Sequence, residues 1–340
     1  MLVRRVLYGL LATYLIGAAV WVVASGAARN DDILHVACDP TRELWKDLNA
    51  EFIQRYQAKT GTTVTIRMSH GGSSSQARAV VDSLDADFVS LAMFPDTDAI
   101  RKAGRIDDGW VKKLPNNSLP YTSTMVMVVR KGNPKQIHEW ADLKRQDVEI
   151  ITPNPKTSGN GKWSFLALYG SVTQAGGTVQ EAEDFLCDVY RRVPVLDTSA
   201  RAATMTFAQK NIGDVHITWE NEAYLEVAEA KGVLEIIYPK TSVLAEPHVA
   251  VVDSVTKQKG TTAVMEAYTK FLYTREAQEI IARHNHRPID PEVIAATKDR
   301  YPTITFFTVR DLAPSWDDIN SRFFNEGAMF DRLFTNARRK

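Results

Sequence analysis

Residues 33–75 read ILHVACDPTRELWKDLNAEFIQRYQAKTGTTVTIRMSHGGSSS, and they decide the predicted fold. The runs at 33–37 and 64–68 are short and mostly apolar, which is typical of buried β-strands. Between them, apolar residues recur at every fourth position from Leu44 to Tyr56, as on the buried face of an amphipathic helix. A strand, a helix and a second strand in this order predict a parallel sheet that is covered by helices.

Two turns in this stretch join a strand to a helix. Asp39 is suited to cap the first helix, and Pro40 fits its first position because a missing N–H group costs nothing there. The second turn, at residues 69–75, is rich in glycine and serine and precedes a segment with apolar residues on one helical face. Both turns follow predicted strands, at the sheet edge where open α/β sheets bind ligands.

The same order of strand, turn and helix returns later in the chain. Predicted strands at 148–151, 193–196 and 214–218 are each followed by a polar turn and a helix. Two further apolar runs, at 124–129 and 249–252, have prolines on either side, and we interpret them as crossings between two lobes.

The crossings define the predicted domain organisation. The first lobe is expected to comprise 31–120 plus 247–335, the second lobe 121–246, and residues 336–340 a solvated tail. A chain of 340 residues is long enough for two lobes with separate cores. Each lobe is expected to be an α/β unit with a mostly parallel sheet covered on both faces, and a ligand would bind between the lobes.

The composition excludes several classes of function. The chain has 41 Lys+Arg and 41 Asp+Glu residues, so nothing predicts a nucleic-acid surface. An anion bound by such a chain must be attracted by local dipoles, because net charge supplies no attraction. Cys38 and Cys187 are the only cysteines, which excludes a disulfide framework, and we favour two free, buried thiols over a single bridge.

The N-terminus has the layout of an export signal. Arg4 and Arg5 precede a run at 6–28 that has no charged residue and ends in small residues. We predict that residues 1–30 form a secretory signal peptide. The run is also long enough to span a bilayer, so an uncleaved anchor in the inner membrane is the alternative. In both cases the chain from Asp31 onward lies outside the cytoplasm, in the periplasm.

Five strand-to-helix junctions carry the same chemistry. A helix N-terminus exposes unpaired N–H groups and the positive end of the helix dipole, so an anion is its natural ligand. A single junction of this kind is usually only a helix cap, but together they predict an anion site in the cleft between the lobes. The junctions are Asp39-Pro40-Thr41, Gly72-Ser73-Ser74, Ser158-Gly159-Asn160, Ser199-Ala200-Arg201 and Thr218-Trp219-Glu220.

Residue spacing disfavours two other kinds of site. The turn at 159–162 looks like a nucleotide-binding loop, but its glycines are too close together and Trp163 stands where Ser or Thr is required. An ester hydrolase needs a nucleophile with a base, or a set of metal ligands. The histidines are scattered, and only His284 and His286 are close in sequence. We therefore predict a protein that is not an enzyme, with no catalytic residues, metal or cofactor.

At these same turns the chain resembles the periplasmic sulfate-binding proteins and their thiosulfate-binding relatives. The resemblance extends over essentially the whole chain after residue 33. It rests on long, ordered motifs: Asp39-Pro40-Thr41-Arg42-Glu43-Leu44, Ser69-His70-Gly71-Gly72-Ser73, Arg130-Lys131-Gly132-Asn133-Pro134-Lys135, Thr152-Pro153-Asn154-Pro155-Lys156-Thr157-Ser158-Gly159, Gly213-Asp214-Val215, Trp219-Glu220-Asn221-Glu222 and Leu244-Ala245-Glu246-Pro247.

The resemblance implies a fold and a function. The fold is that of a type II, two-lobe periplasmic binding protein. The function is the capture of sulfate in the interlobe cleft and its delivery, by a monomeric receptor, to the permease and ATPase of an ABC importer. Thiosulfate or another tetrahedral oxyanion is the alternative ligand.

The resemblance also implies a set of ligand-binding residues. The first lobe would contribute the Asp39 N–H group and the Ser73 side chain. The second lobe would contribute uncharged donors as well, and two residues would support the site without touching the anion. The donors of the second lobe are the Ser158 hydroxyl, the N–H groups of Gly159, Asn160 and Ala200, and the Trp219 indole, and the supporting residues are His70 and Arg201.

Several positions bear on the choice of anion. Asn160 resembles the thiosulfate-binding branch, because glycine is usual there in the sulfate-binding branch. Trp219 and the Gly71-Gly72 pair resemble the sulfate-binding branch. Cys38 stands where a tyrosine is common in the family, which alters the wall beside the site.

Overall fold

The structure, a computed structural model, describes residues 31–338. The signal peptide or anchor predicted at 1–30 lies outside the described residues, as do the last two residues of the chain. Within the described part, no helix is both long enough and apolar enough to cross a bilayer.

The first lobe is built on a four-stranded sheet with the order Val64–Gly71, Asp31–Cys38, Phe88–Leu91 and His248–Val251. The first three strands are parallel, and His248–Val251 runs antiparallel to Phe88–Leu91. The strands predicted in the opening stretch are therefore confirmed, and their pairing is parallel as expected.

Helices pack on both faces of this sheet because alternate residues of a strand point to opposite sides. Ile33 and Ala37 belong to a core cluster with Leu44 and Tyr268, whereas Val36 belongs to a second cluster with other helices. The helices of this lobe are Arg42–Thr60, Ser73–Val81, Phe94–Lys102, Pro115–Ser118, Asp253–Lys259, Thr262–Phe271, Arg275–Arg283 and Pro291–Thr297.

The first helix begins differently from the prediction. A 3₁₀ turn, Asp39–Thr41, precedes Arg42–Thr60, and Cys38 takes the capping position without a side-chain hydrogen bond. Asp39 is therefore not the cap. Its carboxylate instead accepts a hydrogen bond from Arg42 Nη2 at 3.3 Å. Pro40 is consequently the second residue of the turn and not, as predicted, the first, but an N–H group has no intrahelical acceptor there either.

The second lobe is organised around a long central strand, Tyr121–Arg130, most of which is buried. Its antiparallel partners are Val215–Trp219, Leu234–Ile237 and Thr241–Ala245. The prediction of a mostly parallel sheet is therefore wrong for this lobe. The reason is that a fully buried strand shows a continuous apolar run whichever way it points, so the sequence pattern does not reveal its direction.

The C-terminal segment belongs to the second lobe and not, as predicted, to the first. Thr305–Phe307 pairs with Thr241–Ala245, and Met329–Arg338 packs against Val179–Arg191. Phe323 and Phe330 lie in the core of the second lobe. The last helix also includes residues assigned to the tail, and Ala337 on it is buried. The apolar face of an amphipathic helix predicts that the helix packs against a core, but it does not predict which of the two lobes provides that core.

The remaining helices belong to the second lobe. They are Gly159–Thr173, Val179–Arg191, Ala200–Thr204 with its π-helical continuation Met205–Gln209, Glu220–Glu229, Val309–Leu312, Trp316–Ile319 with its π-helical continuation Asn320–Phe324, and Met329–Arg338. The helices that begin at Ser73, Gly159 and Ala200 are named the Ser73, Gly159 and Ala200 helices.

The two cysteines are free thiols, but they differ in burial. Cys38 is buried at the end of its strand, and desolvation raises the pKa of its thiol to about 12. Cys187 is only half-buried on the helix Val179–Arg191, so the predicted burial is wrong for this residue.

Candidate functional site

Three of the predicted junctions meet where the two lobes face each other. A Cβ atom placed on Gly72 would lie 2.5 Å from the backbone oxygen of Thr157 and 3.1 Å from that of Thr198. A Cβ atom placed on Gly159 would lie 3.2 Å from the Cβ atom of Ser73. Glycine is therefore required for the turns of the two lobes to approach this closely.

The other two junctions are tied to these by side-chain hydrogen bonds. Asn221 Nδ2 donates to the backbone oxygen of Pro40 at 2.8 Å, which joins the start of Glu220–Glu229 to the turn after Asp39. Asn160 Nδ2 donates to Thr218 Oγ1 at 3.3 Å. The structure thus brings all five predicted junctions to one place in the cleft.

The helix N-termini at this place offer backbone donors. In the Gly159 helix, the first intrahelical bond runs from the Lys162 N–H group to the Ser158 oxygen, so the N–H groups of Gly159 and Asn160 precede it. In the Ala200 helix, the corresponding bond runs from Ala203 to Ser199. The N–H group of Ala200 likewise has no intrahelical acceptor.

The serines before two of these helices cap them without using their own hydrogens. Ser158 Oγ accepts from the Gly161 N–H group at 3.5 Å, and Ser199 Oγ accepts from the Ala202 N–H group at 3.4 Å. Accepting occupies a lone pair of a hydroxyl, so its hydrogen stays available. The Ser158 hydroxyl can therefore donate to a ligand while it caps the helix.

Trp219 presents an indole N–H group that has no partner. The residue is 2 % exposed, and Nε1 is buried without a hydrogen-bond acceptor. Its ring lies edge to face with Trp163, at a centroid distance of 6.5 Å. Buried polar groups are nearly always hydrogen-bonded, so an unpaired indole beside several helix N-termini indicates the place of an acceptor.

Ser73 lies at the junction as predicted, but its hydroxyl is engaged. Ser73 Oγ donates to Asp96 Oδ2 at 2.6 Å and accepts from the Ala92 N–H group at 3.0 Å. In this arrangement the Ser73 N–H group faces no intrahelical acceptor, because the first backbone bond of its helix runs from Gln76 to Gly72.

Comparison with known proteins places the chain among transport receptors. A family model described as bacterial extracellular solute-binding protein matches residues 34–285. The chain belongs to this family.

Individual relatives of this solute-binding protein are similar over nearly their full length. The sulfate-binding protein of Escherichia coli (strain K12) is 45% identical over 328 residues, 96% of this chain and 98% of that protein. The thiosulfate-binding protein of Pseudomonas aeruginosa is 42% identical over 320 residues, 94% of this chain and 96% of that protein.

A solved structure agrees with the fold. The sulfate-binding protein SubI from Mycobacterium tuberculosis H37Rv matches with a TM-score of 0.79 and 33% identity, covering 87% of this chain and 100% of that chain. The predicted type II, two-lobe α/β fold and the predicted family resemblance are therefore confirmed.

Arg201 of this solute-binding protein is bound by the side chains of two glutamates. Its Nη2 atom lies 3.0 Å from Glu43 Oε2, across the cleft, and 3.3 Å from Glu222 Oε1 in its own lobe. Glu222 is buried, and desolvation raises the pKa of its carboxyl to about 8, with the charge of Arg201 opposing the shift. The guanidinium thus spans the lobes behind the helix N-termini.

His70, the second predicted supporting residue, lies opposite Ala37 in the first sheet. Desolvation and the nearby charge of Arg42 lower the pKa of its imidazole. The lowered pKa disfavours the charged form of the ring beside the Asp39 turn.

Two residues at the site, Asp96 and Lys162, were not predicted from the sequence. Asp96 lies in the first turn of the helix Phe94–Lys102 of the first lobe, and Lys162 lies in the first turn of the Gly159 helix. Their side chains meet at 3.3 Å. The sequence around Asp96 gave a weak indication of a helix start, since Asp96 follows Pro95 after a buried strand. No sequence pattern links it to Lys162, which is 66 positions away.

Proposed function

We propose that this solute-binding protein captures sulfate between its lobes through uncharged hydrogen-bond donors and delivers it to an ABC importer. The observation that carries the proposal is the buried, unpartnered indole N–H group of Trp219 beside the N-termini of several helices. A set of proposed contacts that are all donors matches an anion whose oxygens only accept. The names of the relatives, sulfate-binding and thiosulfate-binding proteins, support a small oxyanion of sulfur.

The proposed contacts come from both lobes. The first lobe supplies the N–H group of Asp39 and Ser73, whose hydroxyl donates to the anion once it turns away from Asp96. The second lobe supplies the rest: the Ser158 hydroxyl, the N–H groups of Gly159, Asn160 and Ala200, and the Trp219 indole. Because the donors are divided between the lobes, they surround an anion only when the cleft is closed.

The charge of the anion is balanced by dipoles. Arg201 is occupied by Glu43 and Glu222, so it supports the Ala200 helix without binding the ligand. His70 supports the turn next to Asp39. The positive ends of the helices, together with the unpaired N–H groups, stabilise the negative charge, which is the role that helix N-termini have in anion binding.

The place of action follows from the proposed role. We propose that the receptor is exported to the periplasm by its N-terminal signal, or is held at the inner membrane if the signal is not removed. It works as a monomer that docks on a permease and ATPase complex. It performs no chemistry on its ligand.

Thiosulfate is the second candidate ligand. The observation in its favour is Asn160, the residue that resembles the thiosulfate-binding branch. Its side-chain amide donates a hydrogen bond to Thr218 and accepts one from Ser164. A larger anion with a terminal sulfur accepts hydrogen bonds from the same donors, so the two ligands differ in size more than in chemistry.

Isothermal titration with a panel of anions tests the proposal. Sulfate, thiosulfate, molybdate, tungstate and chromate are titrated separately into protein from which bound anion has been removed. Sulfate is expected to bind most tightly. Tighter binding of thiosulfate would make thiosulfate the ligand, and absence of binding by every anion would contradict the proposed function.

A further inference from the structure

A buried carboxylate lies directly behind the proposed site. Asp96 is 5 % exposed, and its two oxygens accept from Ser73 Oγ at 2.6 Å and Ser74 Oγ at 2.9 Å. Ser73 is one of the proposed donors to the anion. A negative charge one hydroxyl away from a bound dianion is repulsive unless a cation compensates it.

The compensating cation comes from the other lobe. Lys162 Nζ lies 3.3 Å from Asp96 Oδ1 and 2.9 Å from Ser74 Oγ, and the lysine is 8 % exposed. Lysine is almost never buried without a partner. The contact crosses the cleft, since Asp96 belongs to the first lobe and Lys162 to the Gly159 helix of the second.

The position of Lys162 is unfavourable for the helix itself. A cation in the first turn opposes the positive end of the helix dipole, and burial adds a desolvation cost. A residue that breaks a local rule in this way is retained for a gain elsewhere. Here the gain is the neutralisation of Asp96 when the lobes are closed.

We propose that Lys162 is a positioning residue that compensates the buried charge of Asp96, so that the closed cleft accepts a fully ionised anion. The inference rests on the proposed function. When the Ser73 hydroxyl turns toward the anion, Asp96 loses one donor and keeps Ser74 and Lys162. The lysine thus frees Ser73 for the ligand and prevents the carboxylate from repelling it.

A set of charge variants tests this pair. Sulfate is titrated into the full chain and into Lys162→Met, Asp96→Asn and the double variant. Lys162→Met leaves Asp96 uncompensated, and its sulfate affinity is expected to fall by at least about tenfold. The double variant removes both charges and is expected to bind within about threefold of the unmodified protein. Asp96→Asn alone leaves the cation of Lys162 uncompensated; because a cation attracts the anion, sulfate affinity is expected not to fall as it does in Lys162→Met.

Lys156→Met is the matched control. Lys156 lies in the turn just before the same helix, but it pairs with Asp331 at 2.8 Å, within the second lobe. Its removal changes the net charge equally without touching Asp96, and sulfate affinity is expected to stay within about threefold. Thermal unfolding without anion checks that each variant is folded. If Lys162→Met is not folded, Lys162→Gln replaces it in the comparison, because glutamine also removes the charge but retains a polar end near Ser74.

Two results would overturn the inference. One is sulfate binding by Lys162→Met equal to that of the unmodified protein. The other is a double variant that binds as weakly as Lys162→Met, because this would mean that packing rather than charge is lost. If the unmodified protein binds no sulfate, the proposed function fails and the inference fails with it.

Discussion

At the scale of single residues, Trp219 is the most informative proposed donor, because its indole N–H group is buried without a partner. Trp219→Phe keeps an aromatic ring and removes one donor. A hydrogen bond to a charged group contributes roughly 1.5–3 kcal/mol, so sulfate affinity is expected to fall about tenfold to a hundredfold. Isothermal titration measures the loss. Unchanged affinity would show that Trp219 serves only in the core.

Glu222 predicts a pH dependence of stability. Burial raises the pKa of its carboxyl from the usual 4.5 to about 8, so the folded state favours the protonated form. Its contribution to stability is complete below pH 4.5 and is lost as the pH rises through about 8. We expect the free energy of unfolding to fall over this range more steeply in the unmodified protein than in Glu222→Gln. Denaturant titrations at several pH values compare the two, and parallel curves would contradict the assignment.

At the scale of elements, the site depends on how closely turns of the two lobes approach. Gly72 faces backbone oxygens of Thr157 and Thr198, whereas the Cβ position of its neighbour Gly71 meets the amide end of Gln76 in the same lobe. Backbone cannot move aside as a side-chain end can. The two glycines therefore form a matched pair for testing closure.

Gly72→Ala is expected to hinder closure, because its methyl group would meet Thr157 at 2.5 Å. Sulfate affinity is expected to fall by at least about tenfold, since overpacking costs about 1–3 kcal/mol. Stability without anion should change little, because the contact crosses the cleft. Gly71→Ala is the control and should retain affinity within about threefold. Equal affinity in both variants would mean that the turns do not need this close approach.

At the scale of the whole molecule, closure should accompany binding. Donors divided between two lobes bind the anion together only in the closed state, so the ligand shifts the population toward it. Saturating sulfate is expected to reduce the radius of gyration in solution scattering and to change tryptophan fluorescence, because Trp219 is one of the proposed donors to the anion. Identical scattering curves with and without sulfate would argue against a two-lobe trap.

The chemistry of the whole cleft predicts rejection of phosphate. Every proposed contact is a donor, and the nearby carboxylates of Asp39 and Asp96 are paired with Arg42 and Lys162. The O–H group of hydrogen phosphate would find no acceptor, which costs about 1–3 kcal/mol, and a repulsive donor–donor contact adds to this. Sulfate is expected to bind at least about a hundredfold more tightly than phosphate.

The same argument predicts that sulfate binding changes little between mildly acidic and mildly basic pH. None of the proposed donors titrates there, and the lowered pKa of His70 disfavours the charged form of that ring. Competition titrations of sulfate and phosphate at several pH values test both statements. Comparable affinities would reveal an acceptor in the cleft, with Asp39 and Asp96 the first to examine.

The sequence by itself determined the local chemistry of this protein. Strand-to-helix turns with Gly, Ser and Ala can be recognised from a few consecutive residues. Helix caps need particular residue types, and a backbone that approaches a ligand closely needs small ones. They predicted the α/β class, the interlobe position of the site and its donor-only character. The motifs in the same turns were enough to indicate the family.

Only the tertiary structure decided what depends on distant pairs. Nothing local reveals that the central strand Tyr121–Arg130 runs antiparallel to its neighbours or that the C-terminal helix Met329–Arg338 joins the second lobe. Local sequence likewise does not reveal the ion pair between Asp96 and Lys162. An apolar pattern predicts that a segment is buried but not which other segment it packs against. The partner of a buried charge is likewise visible only in the folded chain, because it can lie far away in sequence.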